Sequence, residues 1–202
     1  MNFAEIVSEV VGITKRPDKV QEISTAINAV ISLCTMKASF AKDLVEISLP
    51  ISSLLYGDTV QFDNVSPLPT IIRFRKFKYI KAPGVRRYLL PIGADQVFTT
   101  ASSLQLDRYY VGGNNLTYTL KELAQSLEIG YYQYPKVLSD FVGNDTHWML
   151  DIMPYTIIDL SAARIFRSVG DDASFKTHES MGQDAYKINR RDHEDSILVG
   201  AT

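Results

Sequence analysis

The apolar positions repeat with two different periods, and the changes of period divide the chain into three stretches. Phe3, Ile6, Val7 and Val10 fall at helical spacing. Asn2 precedes them as a candidate N-cap, and Glu5 stands three residues on, as a capping box requires. Gly12 and the Lys15-Arg16-Pro17 run are expected to end this helix. Pro17 suits the first turn of a second helix, because it has no N–H to leave unpaired there. Val20, Ile23, Ile27, Val30, Ile31 and Cys34 then form one stripe. The reading is two helices, near 2–12 and 17–40, antiparallel and packed through these faces.

The period shortens at about Asp43. Val45, Ile47, Leu49 and Ile51 alternate with Leu44, Glu46 and Ser48, which is strand chemistry. Gly57-Asp58 and Pro67-Leu68-Pro69 punctuate a loop. Thr70 to Lys81 is β-branched, aromatic and basic and predicts a long strand. Pro83-Gly84 is a turn signal, and Tyr88-Leu89-Leu90 a return strand. Asp95 to Ser102 suits a short helix. Arg108 to Val111 and Leu116 to Leu120 flank Gly112-Gly113-Asn114-Asn115 and predict a hairpin. Leu127 to Tyr134 adds a strand that Pro135 ends, since proline cannot donate to a ladder.

From about Thr146 the helical period returns. Tyr155, Ile158, Ala162, Ile165 and Val169 are expected to line one face. Pro154 fits a helix start or a kink, and Gly170 a C-cap. Phe175, His178, Met181, Ala185 and Ile188 allow a further helix, weakened by Gly182. Ile197-Leu198-Val199-Gly200 is apolar and unframed. The expected fold class is α+β. N- and C-terminal helices, about 2–40 and 146–170, form a bundle, with an antiparallel β-rich block inserted at about 44–134. Residues 1–170 are read as one domain and 171–202 as an extended C-terminal docking tail.

Composition narrows the class. A chain of 202 residues suits one domain. With 46% hydrophobic and 22% charged residues it can bury a core, which excludes disorder along the whole length. A net charge of −2 excludes a polybasic nucleic-acid binder. The single cysteine, Cys34, permits no intramolecular disulfide and fits a reducing compartment, or a particle assembled in one. On the helical stripe it reads as a small buried hydrophobe. Glu5 and Glu9 without a basic n-region argue against a signal peptide. No apolar run approaches the ~18 residues that span a bilayer, so no membrane partner is expected.

Candidate chemistry is sparse. His147, His178 and His193 are scattered, with no cysteine or His-x-x-x-His pair to support them, so no metal or other cofactor is expected. His178 reads as a surface or interface histidine. No serine sits in a Gly-x-Ser-x-Gly elbow, and Gly112-Gly113-Asn114-Asn115 lacks the Gly-Lys-Ser/Thr ending of a phosphate loop. No catalytic residue is assigned, and the chain is expected not to be an enzyme. The sharpest local signal is basic: Arg73, Arg75, Lys76, Lys78, Lys81, Arg86 and Arg87, interleaved with Phe74, Phe77, Tyr79 and Tyr88. Three readings stay open. Cations and rings can hold nucleic acid. A basic outer face can protect an edge strand. The block can also form a salt-bridged subunit interface. The parity of the basic residues changes around Lys76, which calls for a bulge there or for two partly wet faces.

The stretch from Asp171 to Thr202 is polar, yet it holds Phe175, Met181, Tyr186, Ile188, Ile197 and Leu198. A purely solvated tail seldom carries so many large apolar groups, so it reads as a segment that docks on another chain.

Order and spacing together resemble one family. The opening Phe3-x-x-Ile6-Val7-x-x-Val10-x-x-Ile13-Thr14-x-Arg16-Pro17-Asp18, followed by a long helix, resembles the start of bacteriophage head-to-tail adaptor proteins. Phe40-x-x-Asp43-Leu44, Arg73-Phe74-Arg75 with Tyr79-Ile80, and the Tyr109-to-Tyr118 hairpin follow in the family's order. Pro154-Tyr155-x-Ile157-Ile158-x-x-x-Ala162-Ala163-x-Ile165-Phe166 resembles its late helix. The resemblance implies a structural virion protein without enzymatic activity, in a ring of about twelve copies beneath the portal. Such rings join portal to tail, enclose the DNA channel and sit in the virion neck after assembly in the host cytoplasm. Implied partners are the portal protein, tail proteins below the ring, other copies of the chain, and passing double-stranded DNA without sequence recognition. The implied portal-binding residues are Phe175, Tyr186, Ile188, Arg190, Arg191, Ile197 and Leu198. Arg73, Arg75, Lys76, Lys78, Arg86 and Arg87 are expected at a subunit interface or facing DNA. The alternative function is a nucleic-acid-binding module using residues 73–88.

Overall fold

The computed structural model describes residues 1–51, 58–61, 71–83, 88–93, 107–113, 115–120, 124–139 and 145–194. The fold is α+β, and the described residues form two compact units. A helical unit is made of Met1–Asp43 with the chain from Tyr134 to Glu194. A sheet unit is made of Leu44–Gln133. The division therefore falls differently from the expected 1–170 domain with a separate tail.

In the helical unit, α1 (Phe3–Thr14) starts at the expected capping box. Asn2 Oδ1 accepts from the Glu5 N–H and Glu5 Oε2 from the Asn2 N–H, each at 2.9 Å. The helix does not stop at Gly12. It runs to Thr14 and ends at Lys15, whose φ of 55° is left-handed. Pro17–Lys19 forms a 3-10 turn, and α2 (Val20–Lys37) follows. After the sheet unit come α3 (Trp148–Ile152), α4 (Pro154–Val169) and α5 (Asp172–His193). Gly170 caps α4 with φ 79°, the conformation glycine adopts at least cost.

One core joins these helices. Phe3, Ile6 and Val10 of α1, Ile23, Ile27 and Ile31 of α2, and Ile157, Ala162 and Ile165 of α4 are buried together. Polar ties fix the edges of this core. The Asn28 amide donates to the Leu138 carbonyl and accepts from its N–H, both at 2.8 Å. Trp148 Nε1 donates to Asp43 Oδ1 at 2.7 Å, and its ring meets Phe40 edge-on at 5.1 Å.

Two helical expectations need correction. The inward face of α4 does not include Tyr155 (73% exposed) or Val169 (39%). Thr156, Asp159 and Ser161 are buried on that helix along with the aliphatic residues. Gly182, read only as weakening α5, has a packing role. It lies where α5 crosses α4, and a Cβ there would stand 2.7 Å from Leu160 Cγ. The helix runs through it for 22 residues.

The sheet unit has two sheets. β1 (Leu44–Pro50), β7 (Ser126–Gln133) and β3 (Phe74–Lys81) pair antiparallel in the order β1-β7-β3. β2 (Asp58–Gln61), β6 (Asn115–Thr119), β5 (Arg108–Gly112) and β4 (Leu90–Pro91) form the other, in the order β2-β6-β5-β4. Leu49, Ile80, Leu116, Tyr118, Leu127 and Ile129 are buried between them. The hairpin is as expected, with Gly112 paired to Asn115. β2 stands where a loop was expected. The return strand at 88–90 shortens to two residues and pairs parallel with β5, a departure from an all-antiparallel block. Its chain first donates from the Leu89 N–H to the Ile80 carbonyl, then passes to the other sheet at Leu90. The helix expected at 95–102 lies outside the described residues.

Candidate functional site

The basic strand β3 is an edge of its sheet among the described strands. Its pairing with β7 slips twice, between Phe74 and Lys76 and between Phe77 and Tyr79. Of the two outcomes that the change of parity left open, a bulge or two partly wet faces, these slips are the bulge. In a regular strand, consecutive side chains point to opposite faces. Here the Arg75 guanidinium and the Lys76 ammonium both lie over the Tyr132 ring, at 5.5 and 5.3 Å. Tyr79 faces Gly130 across the strands. A Cβ on Gly130 would stand 2.5 Å from the ring, so the glycine makes room for it.

Two further cations of the block, Arg73 and Lys81, are also held within the unit. Arg73, with φ 49°, donates from Nη2 to Gln133 Oε1 at 2.8 Å. Lys81 Nζ pairs with Glu128 Oε2 at 2.7 Å and lies 6.0 Å from the Tyr79 ring centroid. The Tyr79 hydroxyl donates to Glu46 Oε1 at 2.6 Å. Burial first, and this hydrogen bond second, push its pKa well above the ordinary tyrosine range. Lys78 is half-buried. Arg86 and Arg87 lie outside the described residues. Beside the strand, Phe74, Phe77, Tyr109 and Tyr110 line an open cleft of about 470 Å³ together with Arg75 and Lys76.

The residues assigned to the tail scatter over α5. Phe175 is half-buried, with the Arg167 guanidinium 5.4 Å from its ring centroid. Tyr186, expected on an extended tail, is instead packed into the helical unit. It is buried in the helical core, and its hydroxyl donates to the Cys34 carbonyl at 3.1 Å. Arg190 Nε is paired with Glu194 Oε2 at 2.6 Å. Ile188 (65% exposed) and Met181 (53%) stand seven residues apart, two turns along one face. Arg191 is exposed. Ile197 and Leu198 lie outside the described residues.

One feature escapes sequence reasoning. His178 Nδ1 lies 2.8 Å from Asp159 Oδ1, and its ring stacks on Phe166 at 5.3 Å, so it ties α5 to α4. No local spacing links a histidine on one helix to a carboxylate on another. Cys34 is buried as expected, and burial pushes its thiol up to about 11, which keeps it protonated and unreactive at neutral pH.

Among the described residues, no group of three or more His, Cys, Asp or Glu side chains is placed to hold a metal ion. No helix among them is long and apolar enough to cross a membrane. No family model matches the chain, and no curated protein matches it.

Proposed function

We propose that this chain is a structural, non-enzymatic protein of a bacteriophage particle, a head-to-tail adaptor that assembles into a ring between portal and tail. The observation that carries the reading is the order of the fold. Residues 1–43 and 134–194 build one helical unit, and a sheet unit with its own core is inserted between these two stretches. This is the layout that the resemblance implies. A closed ring needs two different, complementary patches per subunit, and a chain with two separate cores can carry them on separate surfaces. On this reading the ring lies in the virion neck and holds about twelve copies. It encloses passing DNA, and Ile188 and Arg191 on the exposed face of α5 meet the portal.

The test is to mix the purified chain with its portal ring and to follow the product by sedimentation and negative-stain microscopy. The expected product is a stoichiometric ring-on-ring complex. A chain that never joins the portal, at any concentration, removes the adaptor reading.

A second reading, a nucleic-acid-binding surface, is favoured by the cleft that brings Arg75 and Lys76 beside Phe74 and Tyr109. Replacing Arg73, Arg75 and Lys78 with Glu should then lower DNA affinity and flatten its salt dependence. An unmutated chain with no salt-dependent DNA binding at low ionic strength sinks it.

A further inference from the structure

The helical unit carries a groove of about 600 Å³ between α2, α4 and α5. Its floor is apolar, with Val30 and Cys34 from α2, Leu160 and Ala163 from α4, and Phe175 and Tyr186 from α5. Exposed charges rim it. Lys37 stands on one wall and Arg164 and Arg167 on another, with Glu179 as the one carboxylate. Arg164 and Arg167 are three residues apart and so share a helix face. Other cations of this unit close short ion pairs, Lys19 with Glu22, Lys187 with Asp184 and Arg190 with Glu194. Lys37, Arg164 and Arg167 pair with no carboxylate among the described residues. Three cations over an apolar floor, against one carboxylate, ask for an occupant that is both apolar and acidic.

We propose that this groove docks an acidic amphipathic segment of a partner protein. Its apolar side chains cover Leu33 of α2, Leu160 and Phe175, which keep accessible surface in the groove, and its carboxylates meet Lys37, Arg164 and Arg167. This is the helix-in-groove mode, in which apolar anchors supply affinity and flanking charges supply register and specificity. Duplex DNA fits the groove poorly, because a phosphate backbone offers nothing to an apolar floor. The proposal goes beyond the adaptor reading and does not depend on it, since it states the chemistry of a partner rather than the assembly.

The test uses the full chain and a fluorescein-labelled helical peptide of about 14 residues, ~21 Å long. The peptide carries Leu at core positions and Glu on the flanks. A control peptide has Lys in place of every Glu. Fluorescence anisotropy should show binding of the acidic peptide, weakened by salt, and none of the control. The pair Arg164→Glu and Arg167→Glu should weaken binding about tenfold or more, and Lys37→Glu should weaken it in the same direction. These side chains are exposed, so the circular dichroism spectrum should not change. Phe175→Ala, which leaves the charge untouched, should also weaken binding. Equal binding of both peptides, no binding at low salt, or binding indifferent to the arginine changes would overturn the proposal. So would labelled duplex DNA that binds more tightly than the acidic peptide and is lost in the same variants. A peptide that binds as expected to a chain that never joins a portal would leave the groove standing and the adaptor reading fallen.

Discussion

The two units of this molecule hold many of their charged groups in different ways. In the helical unit, Arg16 with Asp18, Lys19 with Glu22, Lys187 with Asp184 and Arg190 with Glu194 pair within four residues, while Met1 with Asp151 and Lys136 with Asp145 reach farther along the chain. The core is aliphatic and continuous through α1, α2 and α4. In the sheet unit, cations are held across strands, over Tyr132 and against Glu128. A helix places partners three or four residues apart on one face, whereas a strand must find them on a neighbouring strand. The difference teaches that a basic block in sequence is not by itself a free basic surface. In β3 the rings of the same unit already occupy Arg75 and Lys76. In the helical groove, cations far apart in the chain converge without carboxylate partners, with Arg167 also over the Phe175 ring.

The comparison can be broken most forcefully at the helical core. Ile27 is fully buried there, and Ile27→Ala should cost about 2–5 kcal/mol. Amide hydrogen exchange should then accelerate first in α1, α2 and α4, with β1 and β7 lagging. Equal acceleration in both units would show that their cores do not fold as separate entities.

An alkaline titration probes the same core through Cys34. Its thiol is raised from 9.0 to about 11 by burial. Below pH 9 both the folded and unfolded states keep the proton, and this contribution is fully present. As pH rises from 9 to 11 only the unfolded state releases it, so stability falls by about 1.4 kcal/mol per pH unit and then levels off. Denaturant midpoints measured across this range should show the decline. Cys34→Ala should remove that part of it.

Gly182→Ala sharpens the contrast between propensity and packing. Helix propensity alone predicts a gain of about 1 kcal/mol. The new Cβ would meet Leu160 at 2.7 Å, close to the α4 backbone. Overpacking of this kind costs about 1–3 kcal/mol, so a net loss is expected in thermal unfolding. A rise in midpoint would show that α4 and α5 can separate at no cost.

The smallest effect belongs to the sheet unit. Tyr132→Leu keeps an apolar side chain but removes the ring beneath Arg75 and Lys76, a loss of about 1 kcal/mol. It should also increase salt-dependent association with DNA, if the ring is what restrains these cations. A midpoint and DNA affinity both unchanged would show that the two contacts carry no energy.

Much of the local structure was legible in the chain. Asn2 and Glu5 specified a capping box because both of its hydrogen bonds span three residues. Gly170 specified a C-cap because the left-handed conformation favours glycine. The parity change near Lys76 announced a bulge because strand side chains alternate strictly. Gly112 to Asn115 announced a hairpin for the same kind of reason, a short turn between two alternating runs. Each of these signals is closed within a few residues, so the sequence by itself determined them.

Tertiary structure alone decided the rest. Tyr186 looked like a tail residue and became part of the core, because α5 crosses α4 at Gly182 and carries its next turn onto Cys34. His178 found Asp159, and Leu90 found Arg108 in parallel. Lys37 came to face Arg164 and Arg167 across one groove. None of these pairings has a local spacing that distinguishes it from many others. They depend on which faces meet when separate elements pack, and a glycine small enough to permit a crossing is visible as such only after the crossing is known.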